Sequence, residues 1–235
     1  EQATALGFKN YIHLIDTDIY RSRYLKEYIH PAVSIYYRRD YIIGEAYWRR
    51  HGTRLEPELA ASADIVLANS TRFAAELQPY NPHTYPIETG VNLELYNPAK
   101  KYETPGDMQD IPRPIIGYMG TINSTRLDGE LLYQIISQRP DYSFVFTGPE
   151  DDIFRRNRIH SLKNAYFTGQ KKVDELPAYI AAYDVCINPQ MVNEITDGNY
   201  PLKIDEYLAM GKPTVATSTH TMRNIFAGHT HLAIN

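Results

Sequence analysis

Lys203 and Glu206 stand three residues apart in the run 190–217, QMVNEITDGNYPLKIDEYLAMGKPTVAT. On a helix that spacing puts an ammonium and a carboxylate on one face. Ile204, Tyr207 and Leu208 fall at i, i+3, i+4 and form a separate apolar stripe that faces a core. Asn199 and Pro201 read as the opening of this helix, and Gly211, Lys212 and Pro213 as its close. A helix start presents unpaired N–H groups and the positive end of a dipole, and both suit a diphosphate. A lysine in the first turn adds a cation, and a glutamate one turn on can accept hydrogen bonds from the two hydroxyls of a ribose. The competing reading of the same residues is a surface ion pair worth about 0.2–0.5 kcal/mol.

The elements around this run must hold it in place. Residues 11–15, 33–37, 65–68 and 84–88 read as strands, with helices expected over 20–29, 43–50, 56–61 and 71–77. Asn69 and Ser70 end one strand and cap the helix that follows. The stretch 96–114, YNPAKKYETPGDMQDIPRP, carries four prolines and no periodicity, a linker signature. Beyond it, strands are expected over 115–119, 143–146, 166–167, 185–188, 214–217 and 232–234. Helices are expected over 129–137, 152–158, 173–182 and 222–227. Alternating strands and helices imply parallel sheets covered on both faces.

Ligands of such sheets lie beyond the carboxyl ends of the strands. That rule selects 120–126 (GTINSTR), Gly148, Gly169 with Gln170, and 190–203.

Composition narrows the classes. With 235 residues, 43% hydrophobic and 22% charged, the chain is ordinary for a globular protein. A formal charge of −4 argues against a general nucleic-acid binder. The one cysteine, Cys186, leaves no internal disulfide and no thiolate metal pattern, and sits in an apolar run that suits packing. No run of about 18 apolar residues and no signal peptide is evident, so a cytoplasmic location is expected.

The segment 199–217, NYPLKIDEYLAMGKPTVAT, resembles the donor-site segment of GT-B glycosyltransferases of the retaining family 4 type. Residues 62–91, with ADIVLANS and GVN, resemble the end of the N-terminal domain of the same proteins. The resemblance implies two Rossmann-like, doubly wound α/β domains. These would be a partial N-terminal domain over 1–97, a linker over 98–114 and a nucleotide-sugar donor domain over 115–235, with the first incomplete and the second lacking its closing helices. It implies a transferase that takes a sugar from a UDP- or GDP-linked donor, with no other cofactor and no metal, and passes it to a glycan or lipid-linked acceptor. Bacterial polysaccharide or glycoconjugate synthesis is the implied setting, with work at the cytoplasmic face of the membrane. It assigns the ribose to Glu206, the diphosphate to Gly120, Arg126, Pro201, Leu202 and Lys203, and the nucleobase to Gly169 and Gln170.

One departure concerns the donor sugar. Many relatives place a second glutamate eight residues before the ribose glutamate, where this chain has Gly198. Glu194, Asp197 or Asn199 are the substitutes to expect. Relatives also carry a histidine at the end of a middle N-terminal strand, and the comparable place here holds Arg39 and Asp40 as catalytic candidates. Two other readings stand beside this one: a GT-B-fold sugar-nucleotide epimerase, which needs a cluster of acid and base groups, and a non-enzymatic Rossmann-like binding module.

Overall fold

The computed structural model of the chain describes residues 5–233. It comprises two compact units, Glu1–Thr89 with Asp197–Tyr200, and Gly90–Thr196 with Pro201–Asn235.

In unit 1, β1 (Ile12–Asp16), β2 (Val33–Arg38), β3 (Ile65–Ala68) and β4 (Thr84–Pro86) form a parallel sheet in sequence order. Between them run α1 (Leu25–Ile29), α2 (Ala46–Ser62) and α3 (Thr71–Leu77). The helix expected over 20–29 is confined to α1. The two expected over 43–50 and 56–61 are one continuous helix, α2, with Pro57 inside it. Proline removes one ladder bond, yet Leu55, Leu59 and Ala60 keep the same side buried against Ile15, Tyr36 and Val66, and that packing carries the helix through. Ser70 caps α3 as expected, its side chain accepting from the Phe73 N–H at 3.2 Å.

Unit 1 buries charge as well as hydrocarbon. Arg38 is 2% exposed and lies 3.4 Å from Glu56 and 3.0 Å from Glu76, with its guanidinium 4.5 Å from the centre of the Phe73 ring. Tyr36 donates to the Glu56 carboxylate at 2.7 Å. Burial pushes the Glu56 carboxyl up, while Arg38 and Tyr36 pull it back. Arg72 bonds Glu76 at 3.1 Å and Asp197 at 2.7 Å, extending the chain of charges to the surface.

Unit 2 holds β5 (Ile115–Met119), α4 (Gly129–Gln138), β6 (Ser143–Thr147), β7 (Ala165–Gly169), α5 (Leu176–Ala182) and β8 (Val185–Asn188). It continues through α6 (Leu202–Ala209), β9 (Thr214–Thr217) and β10 (His231–Ala233). All six expected strands are present and parallel, in the order β10-β9-β8-β5-β6-β7. Renumbered within the unit, that is the doubly wound order 3-2-1-4-5-6, with its topological switch point between β5 and β8. Tyr118, Leu132, Ile136, Phe144, Phe146 and Ile159 form the core on one side.

The helix expected over 152–158 is replaced by two short 3-10 turns, Phe154–Arg156 and Arg158–Ser161. Asn157 breaks the run by accepting the Ile159 N–H at 3.0 Å. The one expected over 173–182 starts only at Leu176, with Pro177 in its first turn. The segment expected over 222–227 forms a single π turn, Met222–Phe226. The final strand stops at Ala233; Ile234, expected in it, lies outside the described residues. Residues 98–114 run along unit 2: Met108 is buried, and Asp107 accepts from Tyr179 at 2.8 Å and from Lys171 at 2.7 Å.

Candidate nucleotide site

The switch point of unit 2 opens above Gly120 at the end of β5. Gly120 has φ 131°, and a Cβ there would come 3.0 Å from the Lys203 Nζ. The next strand ends in Gly148, with φ 149°, where a Cβ would stand 2.0 Å from the Gly120 carbonyl oxygen. Both conformations lie in the region that side chains avoid. The two turns are laced by backbone bonds: Gly120 N–H to the Thr147 carbonyl at 2.9 Å and Gly148 N–H to the Gly169 carbonyl at 3.0 Å. Gly148→Ala is expected to cost about 1–3 kcal/mol from its backbone conformation alone, with the clash added. Chemical denaturation checks this, since an unchanged midpoint contradicts the packing described.

On the other side of the switch point, the loop after β5 and the loop after β8 are stitched together. Leu127 bridges Gln190, Met191 N–H bonds the Arg126 carbonyl at 2.8 Å, and Asn193 donates to the Thr125 carbonyl at 2.9 Å. Arg126 is half-buried in this seam.

The central helix differs from expectation at its start. Pro201, not Asn199, takes the N-cap position, and no side chain caps the first turn. Asn199 is buried and belongs to unit 1, so its amide is not spent on the helix. The N–H groups of Leu202 and Lys203 begin the helix with no cap over them, the arrangement that favours an anion. The end matches expectation. Gly211 at φ 67° donates to the Leu208 carbonyl at 2.9 Å and Lys212 N–H to the Tyr207 carbonyl at 2.9 Å, a Schellman closure.

Lys203 and Glu206 do not pair with each other. The Lys203 ammonium reaches back over β5, 2.7 Å from the Tyr118 hydroxyl and 4.2 Å from the centre of its ring. Glu206 turns toward Tyr96, whose hydroxyl is buried beside the carboxylate without closing a well-formed hydrogen bond. Burial pushes the Glu206 carboxyl above its ordinary range, with Tyr96 and Lys203 opposing. Burial and the same carboxylate push the Tyr96 phenol up. Tyr207 fixes the helix to the sheet by accepting the Met119 N–H at 2.7 Å. The surface-pair reading therefore gives way to two side chains held at different places on one helix.

Gly120, Arg126, Leu202, Lys203 and Glu206 all lie at the carboxyl edge of the unit 2 sheet, with Gly169 and Gln170 exposed after β7. Of the three donor-sugar candidates, Glu194 is exposed in unit 2, whereas Asp197 and Asn199 pack with unit 1, Asp197 against Arg72. At Gly198 a Cβ would come 2.8 Å from both Arg72 and Phe73, so a glutamate there requires those side chains to shift. Arg39 and Asp40 follow β2 in unit 1, with Arg39 bonded to Asp16 at 2.8 Å. Tyr96 and Tyr118 are contacts the sequence does not signal. The period-3.6 pattern marks Tyr207 only as core, and nothing local marks Tyr96. Among the described residues no three His, Cys, Asp or Glu side chains cluster as a metal would need. No described helix is long and apolar enough to cross a membrane.

A parallel sheet in the order 3-2-1-4-5-6, with glycine turns and a lysine gathered above its switch point, places unit 2 among the Rossmann-like nucleotide folds. Residues 113–235 match the model of Glycosyl transferases group 1, and the chain belongs to that family. Over 135 residues it is 30% identical to TuaH of Bacillus subtilis (strain 168), assigned as a teichuronic acid biosynthesis glycosyltransferase. That match takes in 56% of this chain and 34% of the relative. Anabaena HepE, solved with UDP and glucose, superposes with a TM-score of 0.73 at 16% identity, over 94% of this chain and 64% of that one. Sucrose-phosphate synthase from Thermosynechococcus elongatus gives 0.69 at 20%, over 99% and 62%. The chain thus spans about a third of the curated relative and under two thirds of these solved chains. The likeness to the solved chains is one of fold, the two Rossmann-like units of GT-B proteins.

Proposed function

We propose that this chain supplies the donor-binding part of a glycosyltransferase that moves a sugar, with retention, from a nucleoside-diphosphate sugar to a glycan or lipid-linked acceptor. The observation that carries the proposal is the placement of the Lys203 ammonium over Gly120, beside the uncapped start of α6. A leaving diphosphate gains charge as the glycosidic bond breaks, and fixed amide donors with a cation stabilise that charge most. Arg126 is the second cation, and Glu206 takes the ribose hydroxyls. Glu194 serves the donor sugar. Gly169 and Gln170 meet the base, and Arg39 and Asp40 supply the reacting face. No cofactor beyond the donor enters the scheme.

UDP is the favoured nucleotide, since HepE was solved with UDP, with UDP and glucose, and with UDP-glucose. TuaH supports polysaccharide synthesis as the setting, and the place of work proposed with it is the cytoplasmic face of the membrane. Titration calorimetry with UDP, GDP and a nicotinamide dinucleotide tests the reading. UDP or GDP is expected to bind, whereas preferred binding of the dinucleotide, or of nothing by a folded chain, refutes it. Lys203→Ala is expected to weaken UDP about tenfold, in the range of one charge-assisted hydrogen bond, and uridine much less. Equal losses for both ligands would remove the lysine from the diphosphate.

A further inference from the structure

Unit 1 contains a cavity of about 840 Å³ at the carboxyl end of β1, between the loop that follows that strand and the first turns of α2. Its volume is that of a small-ligand site. The strand ends at Asp16, and the chain turns at Thr17 with φ 62°, a conformation that β-branched residues rarely adopt. The turn is over-determined. Thr17 N–H bonds the Tyr37 carbonyl at 3.0 Å, and Asp18 accepts from the N–H groups of Tyr20 and Arg21 at 3.2 and 3.0 Å and from the Ser22 hydroxyl at 3.2 Å. Strain held this firmly clusters at binding sites.

The lining carries two carboxylates and two guanidinium groups, and they are engaged differently. Asp16 is paired with Arg39 at 2.8 Å, and Asp18 is absorbed by the loop's own donors. Arg21, Arg50 and His51 also line the cavity, and among the described residues none of the three has a side-chain partner. Arg21 and Arg50 are thus the lining groups with a guanidinium left to offer an anion.

The remaining wall is aromatic. Tyr20 and Trp48 stack with ring centres 4.9 Å apart, and Tyr47 meets Trp48 edge-on at 5.3 Å while remaining 77% exposed. Flat, partly wet aromatic faces receive the C–H side of a pyranose, and fixed guanidinium groups receive a carboxylate or phosphate in a forked geometry. A cavity that combines them matches a sugar bearing an anionic group.

We infer that this cavity binds an anionic saccharide, through Arg21 and Arg50 at its charge and the Tyr20–Trp48 stack at its ring. The inference deepens the proposed transfer by giving the acceptor a chemical class. The binding itself is independent of the donor site and is measured separately.

Trp48 is the only tryptophan in the chain, so its emission reports on this cavity directly. The 235-residue chain is titrated with tetragalacturonate, with glucose 6-phosphate and with neutral cellotetraose, with UDP binding followed in parallel by calorimetry. At least one acidic ligand is expected to shift the Trp48 emission and to bind about tenfold or more tightly than cellotetraose, with affinity falling as salt rises. The tetragalacturonate and sugar-phosphate arms tell a carboxylate from a phosphate requirement. Arg21→Gln with Arg50→Gln is expected to abolish the preference for acid while leaving the far-UV spectrum and UDP affinity unchanged. Equal binding of neutral and acidic ligands, or no shift with any of them in a chain that binds UDP, overturns the inference. An unaltered preference in the double variant does the same. Loss of UDP binding in the unaltered chain would instead count against the transferase reading.

Discussion

Replacing Glu206 by alanine raises the dissociation constant for UDP by about 10- to 150-fold, the range of a hydrogen-bonded charge worth about 1.5–3 kcal/mol. Glu206→Gln retains an acceptor oxygen and loses less. The buried placement of this carboxylate adds a pH signature. Burial holds its pKa above the ordinary value, so between the unfolded and the folded value the native chain keeps a proton that the unfolded chain has released. The stability this provides is complete below the unfolded pKa and is lost as pH rises through the folded one. Ribose hydroxyls donate to the ionised form, so by the same linkage UDP binds more tightly as pH rises through that window. Calorimetry across it is expected to show the rise in the native chain and none in Glu206→Gln. Identical profiles, or unchanged affinity in the folded alanine variant, would remove Glu206 from the ribose.

The largest loss of stability is expected from Glu56→Ala in unit 1. The substitution leaves the Arg38 guanidinium, 2% exposed, with Glu76 as its one remaining carboxylate and strips the Tyr36 hydroxyl of its acceptor. Breaking a buried ion pair from one side costs about 3–5 kcal/mol. Replacing both members, as in Arg38→Met with Glu56→Leu, is expected to recover most of that, because no uncompensated charge remains. Denaturant unfolding followed by Trp48 emission measures both. A loss below about 1 kcal/mol for Glu56→Ala, or a double variant worse than the single one, would contradict the network.

The parallel sheet of unit 2 was legible because each of its strands is a short apolar run bounded by glycine, proline or polar residues, and such runs carry their own boundaries. The placing of Gly120 and Lys203 was legible because both sit at ends of elements, where the position along the chain fixes the position at the sheet edge, whereas the diphosphate and ribose roles rest on the family resemblance. Three features were not legible. The continuity of α2 through Pro57 depends on packing against Ile15 and Tyr36, which are far away in sequence. The partner of Glu206 is Tyr96, 110 residues earlier, and only folding brings them together. Arg38 opens the charged run RRD, which by composition suits a solvated loop, yet its pleat position points it inward with Ser34 and Tyr36. Alternation along β2 is the signal that marks it, since a charge at an inward position needs buried partners.

Cys186 lies fully buried on β8, between β5 and β9, and desolvation raises its thiol far above the range in which it reacts. The thiol is the chain's only one, so a maleimide or iodoacetamide can modify it only while the middle of that sheet is open. The rate of alkylation is then a clock for the opening of unit 2, while Trp48 keeps separate time for unit 1. Adding UDP should slow the first clock in proportion to its occupancy and leave the second running at its own pace.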